Sequence, residues 1–135
     1  MTTRRGVLGL VAMAMAMFLG AAPGRVEARC AQLPLAQEIE QSRYVFEGTV
    51  ESMDARAITL RVVATWKGSP PATVRVAISG RGNPFADATA TTVFLVFASG
   101  TSDEHLSAHR CGATGQVGSV PPAQLEAAGL HRTAR

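Results

Sequence analysis

The stretch "AITLRVVATWKGSPPATVRVAI", residues 57–78, decides the fold. In its first half Ile58, Leu60, Val62, Ala64 and Trp66 alternate with Thr59, Arg61, Val63, Thr65 and Lys67. In its second half Val74, Val76 and Ile78 alternate with Thr73, Arg75 and Ala77. A period of two means a strand with one face buried. Gly68 and Pro70–Pro71 break the run between the halves, so the stretch predicts an antiparallel hairpin of 57–66 and 72–78. The register puts Trp66 on the core face. It puts Lys67, the only lysine, on the wet face, where truncation is expected to be silent.

Upstream, "RYVFEGTVES" (43–52) alternates in the same way. Tyr44, Phe46 and Val50 face one side; Arg43, Glu47, Thr49 and Glu51 face the other. Gly48 falls on the apolar side, which suggests a bulge or tight bend of the kind small barrels use. "PLAQEIEQS" (34–42) reads as a short helix with Pro34 near its first turn. "SMDAR" (52–56) is a turn.

Downstream, "SGRGNPFADATAT" (79–91) has no period and reads as loop. "TVFLVFA" (92–98) is apolar on both faces and predicts a central strand covered on both sides. "HLSAHRC" (105–111) is a weaker strand. "PPAQLEAAGL" (121–130) has the prolines and the glycine of a final short helix, and 132–135 reads as a frayed tail. Five strands between two short helices predict a mainly β chain, a small five-stranded OB-like barrel. Its expected core includes Tyr44, Phe46, Leu60, Val62, Trp66, Val74, Val76, Leu95 and Phe97.

The first 28 residues read as an export signal, leaving 29–131 for the barrel domain. Arg4 and Arg5 precede an uncharged run from Val7 to Ala22, and "VEA" at 26–28 offers small residues to a signal peptidase. The run has 16 residues, short of the roughly 20 that span a bilayer. Arg29 before Cys30 argues against a lipid-anchored cysteine. "TRRGVL" (3–8) also fits a twin-arginine signal, so both export routes stay open. Removing 1–28 takes away Arg4, Arg5, Arg25 and Glu27. That leaves 10 basic and 9 acidic residues, a net charge of about +1. Such a balance attracts neither nucleic acid nor anionic membrane. Arginine outnumbers lysine twelve to one, a sign of a GC-rich genome and so of a bacterium. The expected address is the periplasm or the medium.

There are two cysteines, Cys30 and Cys111. In a small exported domain two cysteines pair more often than not. A loop of about 81 residues would gain roughly 4–5 kcal/mol in the chain-entropy model. Catalytic patterns are sparse. No "GxSxG" occurs, and the glycine-rich pieces lack a phosphate loop's Lys-Ser/Thr. His105 and His109 stand four apart and are weak candidates for a metal, with Asp103 or Glu104 as an acidic neighbour. Two surface histidines are the plainer reading. The expectation is a non-enzymatic module without cofactor.

A cysteine after an export signal, a helix, "RYVFEGTV", "VVATWKG", "PPATVRV", "VFLVFA" and "CGATG" together resemble a group of bacterial exported proteins. Those proteins look like the N-terminal domain of the tissue inhibitors of metalloproteinases, within the wider netrin-module group of OB barrels. The resemblance covers about residues 30–115. It implies that Cys30 matches the inhibitors' first residue, whose amine and carbonyl clasp the target protease's zinc while its thiol is held in a disulfide. It also implies a protein partner, in the narrower form a protease, met by Arg29, Cys30 and Ala31. The chain departs from that pattern at three points. Arg29 stands before Cys30, Ala31 and Gln32 replace a Cys-x-Cys start, and only one disulfide can form.

Overall fold

The computed structural model describes residues 33–79, 83–109 and 111–135. The expected export signal at 1–28 and the expected contact residues Arg29, Cys30 and Ala31 lie outside them. Five main strands form: β1 (Tyr44–Met53), β2 (Ala57–Lys67), β3 (Thr73–Ser79), β4 (Val93–Gly100) and β5 (Leu106–His109). Two-residue strands β6 (Gly115–Gln116) and β7 (Thr133–Ala134), with helices α1 (Leu35–Gln41) and α2 (Pro122–Ala127), complete the set. β1 pairs antiparallel with β2 and with β4, β2 antiparallel with β3, and β4 antiparallel with β5. β3 runs parallel to β5. The order β1-β2-β3-β5-β4 therefore returns to β1, and the sheet closes. This is the small OB-like barrel expected from the alternation, with one short helix before it and one after.

Closure creates an inside. The inside holds Tyr44, Phe46, Ile58, Leu60, Val62, Val74, Val76, Phe94 and Val96. The loop read as structureless contributes to it. Asn83 Oδ1 accepts from the Phe85 N–H at 2.8 Å and turns the chain. Phe85, with no exposed surface, then packs edge-on against Phe94 at 4.9 Å between ring centroids.

A second core lies on the outer wall, where Ile39 of α1 and Leu125 of α2 join Val45, Trp66, Leu95 and Phe97. Strand parity explains the division on β4: Phe94, Val96 and Ala98 point in, while Leu95 and Phe97 point out. It also corrects the reading of β1, which is covered on both faces from Tyr44 to Gly48.

Trp66 is buried, yet not on the face that the alternation predicts. The β1–β2 register slips where Glu47 pairs with Ala64 but Gly48 pairs with Val62. Val63 is the extra residue there, and it exchanges the faces of the residues after it until a second slip at Trp66, where Val45 pairs with Lys67 but Phe46 pairs with Thr65. Leu60 and Val62 point into the barrel, while Trp66 joins the outer core. At the bulge a Cβ on Gly48 would meet the Arg61 carbonyl at 3.1 Å and the Leu60 Cβ at 3.2 Å, which accounts for glycine there.

Two further expectations are corrected. Lys67 does not stand free on a wet face. Its Nζ donates to the carbonyls of Ile39 and Ser42, each at 2.6 Å, and of Glu40 at 3.3 Å. The last turn of α1 has no basic residue of its own, and its carbonyls lack intrahelical partners, so the ammonium caps them. The tail at 132–135 is not frayed. β7 pairs with β2, Ala64 facing Ala134 and Thr65 facing Thr133.

Candidate functional site

The described residues offer two neighbouring clefts, of about 400 and 320 Å³. Both are lined by Leu33, Glu38, Cys111 and Gly112. The larger continues over Leu35, Ala113 and Val120; the smaller over Ser42, Phe97 and His109.

The walls follow from local geometry. α1 packs Ile39 on the outer core and turns Glu38 toward the segment after β5. Glu38 Oε1 accepts from the Ala113 N–H at 2.6 Å and ties helix to segment. Gly112 has no side chain because a Cβ there would collide with that same oxygen. The Gly112 N–H donates to the His109 carbonyl at 3.0 Å, and the Cys111 N–H to His109 Nδ1 at 3.2 Å. Thr114, nearly buried, accepts from the Phe97 N–H at 3.0 Å through Oγ1. Cys111 is thus held half-buried at the junction of both clefts. Leu33, 44% exposed, stands at their rim as an apolar side chain facing water.

The arrangement suits an apolar contact bordered by a carboxylate and an imidazole. The two histidines do not converge. An extended chain rises about 3.3 Å per residue, so positions 105 and 109 lie roughly 13 Å apart. His105 Nδ1 is bonded to Ser102 Oγ at 3.0 Å, and His109 Nδ1 accepts a backbone N–H. Among the described residues no group of three His, Cys, Asp or Glu side chains could hold a metal ion. Asp103 is engaged elsewhere. It accepts from the Tyr44 hydroxyl at 2.6 Å and from Arg43 Nε at 3.2 Å. The Tyr44 hydroxyl first, and then Arg43, hold its carboxyl below the usual carboxylate range.

A second polar constellation escaped the sequence reading. Glu47, on the face of β1 read as wet, is buried. Its Oε1 accepts from Trp66 Nε1 at 2.9 Å and from Arg132 Nε at 3.0 Å; its Oε2 accepts from Arg132 Nη2 at 2.8 Å. Hydrogen bonding to Arg132 is the main cause that lowers its pKa, with burial opposing and Trp66 assisting. Trp66 comes within reach through the bulge at Val63, and Arg132 through the tail strand. Nothing in local periodicity signals either.

The nine expected core residues are all buried, but they divide between the two cores. Tyr44, Phe46, Leu60, Val62, Val74 and Val76 line the barrel; Trp66, Leu95 and Phe97 lie outside it. The expected contact set Arg29, Cys30 and Ala31 lies outside the described residues, and of the expected disulfide only Cys111 lies within them. Comparison with protein-family models, with curated proteins and with solved structures returns no match.

Proposed function

We propose that this chain is an exported, non-enzymatic OB-like module that captures a protein partner at the edge where Leu33 and Cys111 border both clefts. One observation carries the reading. Both clefts meet at Leu33 and Cys111, and Leu33 exposes apolar surface at their rim. Cys30 and Ala31 lie shortly before Leu33 in the sequence, and Cys30 is the position that matches the inhibitors' first residue. In this reading a Cys30–Cys111 disulfide staples the segment to the barrel outside the cytosol.

The narrower form is inhibition of a metalloprotease, with the backbone at Cys30 presented to the protease's zinc. It requires a chain that begins at Cys30, because an additional Arg29 removes the free amine there. With Arg29 retained, the edge acts by apolar and polar contact alone.

Site-directed photo-crosslinking tests the reading. A crosslinker at Leu33, in cells that export the protein, should trap one discrete protein adduct. The same crosslinker at Thr59, which lines neither cleft, should not. Equal or absent adducts at both positions would refute it. A zinc-metalloprotease panel with the mature chain and its Cys30→Ser variant decides the narrower form.

A further inference from the structure

β3 leaves β2 early. Their register ends with Arg61 facing Thr73, and the Val62 N–H donates to the Ala72 carbonyl at 2.9 Å. The chain then turns away through residues 68–72, and β2 continues from Val63 without β3 beside it. The segment His131–Arg135 takes that place. Thr133 and Ala134 pair with Thr65 and Ala64. The Arg135 N–H donates to the Val63 carbonyl at 3.0 Å, and Arg135 Nη2 to the Pro70 carbonyl at 2.7 Å. Arg132 holds both carboxylate oxygens of Glu47.

All of these contacts are polar, and every residue of the segment is exposed. The segment therefore detaches without uncovering a core of its own. The strip it leaves does have needs. Glu47, with its side chain 8% exposed, would keep only the Trp66 indole as partner, and the backbone groups of β2 at 63–65 would lose theirs. Such a strip selects an extended backbone with one guanidinium at its start and another three residues on. "RTAR" (132–135) supplies both. The hinge is equally clear. α2 ends with the Gly129 N–H on the Glu126 carbonyl and the Leu130 N–H on the Leu125 carbonyl, with Gly129 at φ 87°. Leu130 packs on the outer core, so His131 is the first residue free to swing.

We propose that Glu47 and β2 at 63–65 form an exchangeable strand-accepting site, and that its occupant in trans is the His131–Arg135 segment of a second copy of this chain. Reciprocal exchange re-forms every contact, and only the path at His131 changes. Within one copy the tethered segment competes at millimolar effective concentration, so exchange shows when closure within each copy is disabled.

The test mixes two full-length variants. Arg132→Ala/Arg135→Pro keeps the acceptor and loses both guanidiniums and the Arg135 N–H bond of the donor; Glu47→Gln keeps the donor and weakens the acceptor. Trp66, the only tryptophan, reports occupancy through its bond to Glu47. Each variant alone should be monomeric with altered Trp66 emission. The mixture should form a dimer by sedimentation and recover wild-type emission in up to half of its chains. Monomers with unchanged altered emission at millimolar total concentration would overturn the proposal. Should Glu47→Gln fail to fold, the Arg132→Ala/Arg135→Pro chain with a synthetic peptide of residues 129–135 carries the test, since both altered residues are exposed and neither belongs to a core. Recovery of emission with that peptide, and not with one lacking its first arginine, is the expected result. No recovery at millimolar peptide overturns it.

Discussion

Trp66 and Glu47 share a hydrogen bond across neighbouring strands, from Nε1 to Oε1 at 2.9 Å, deep in the outer wall of the barrel. A carboxylate in such a place is costly unless its oxygens are paired. Arg132 supplies the remaining donors from the far end of the chain. One residue of β1 thereby joins the bulge in β2 to the tail strand.

Trp66→Ala removes most of a buried indole and should destabilise the fold by roughly 3–5 kcal/mol. Trp66→Phe keeps most of the packing but takes one donor from a buried charged group. It should cost roughly 1.5–3 kcal/mol. Urea unfolding of both variants checks the order; equal losses would show that the hydrogen bond contributes nothing.

The Glu47 carboxyl titrates below its ordinary range in the folded chain, chiefly because Arg132 bonds it. A depressed folded pKa means stability that is present above the unfolded value, about 4.3 for Glu, and is lost as pH falls through the folded one. The melting temperature of the wild type should therefore fall in acid more steeply than that of Glu47→Gln. The gap between the two should narrow from pH 6 to pH 3. Parallel curves over that range would contradict the assignment.

Lys67→Met keeps the aliphatic stem and removes an ammonium that caps three carbonyls at the end of α1. The expected cost is roughly 1–3 kcal/mol, with amide exchange accelerated first in α1. A silent substitution would return Lys67 to the wet face on which the alternation places it.

Gly68 has φ 75°, and a Cβ there would lie 2.6 Å from Tyr44 Cδ1 and 2.9 Å from the Arg43 carbonyl. Gly68→Ala should destabilise by roughly 1–3 kcal/mol. Gly118, also at positive φ but with open space around its Cβ position, should lose less on the same change. Thermal melts of the two variants compare them directly.

The alternation in 43–52 and 57–78 was enough to read the barrel, because a period of two is a local property that burial writes directly into sequence. The two short helices were legible from their prolines and Gly129 for the same reason. What failed to show is what a single inserted residue does. The bulge at Val63 leaves the pattern of apolar residues unbroken while it exchanges inside for outside, so Trp66 looked continuous with Ile58 and Leu60. Lys67 and Glu47 looked wet because their partners, the carbonyls of α1 and the tail arginine, are 25 and 85 residues away. Phe85 stood alone in a loop, with no period to mark it as a barrel residue. At the candidate site the cysteine at 111 was legible by type. The cleft around it depends on how α1 leans on the segment after β5, which no spacing encodes.

The intact mass of the protein purified from a host able to export it, with and without reduction before alkylation, tests the central claim most directly. The account predicts a chain that begins at Arg29 and takes up alkyl groups on Cys30 and Cys111 only after reduction. Two thiols that alkylate without reduction, or a chain that keeps residues 1–28, would contradict it.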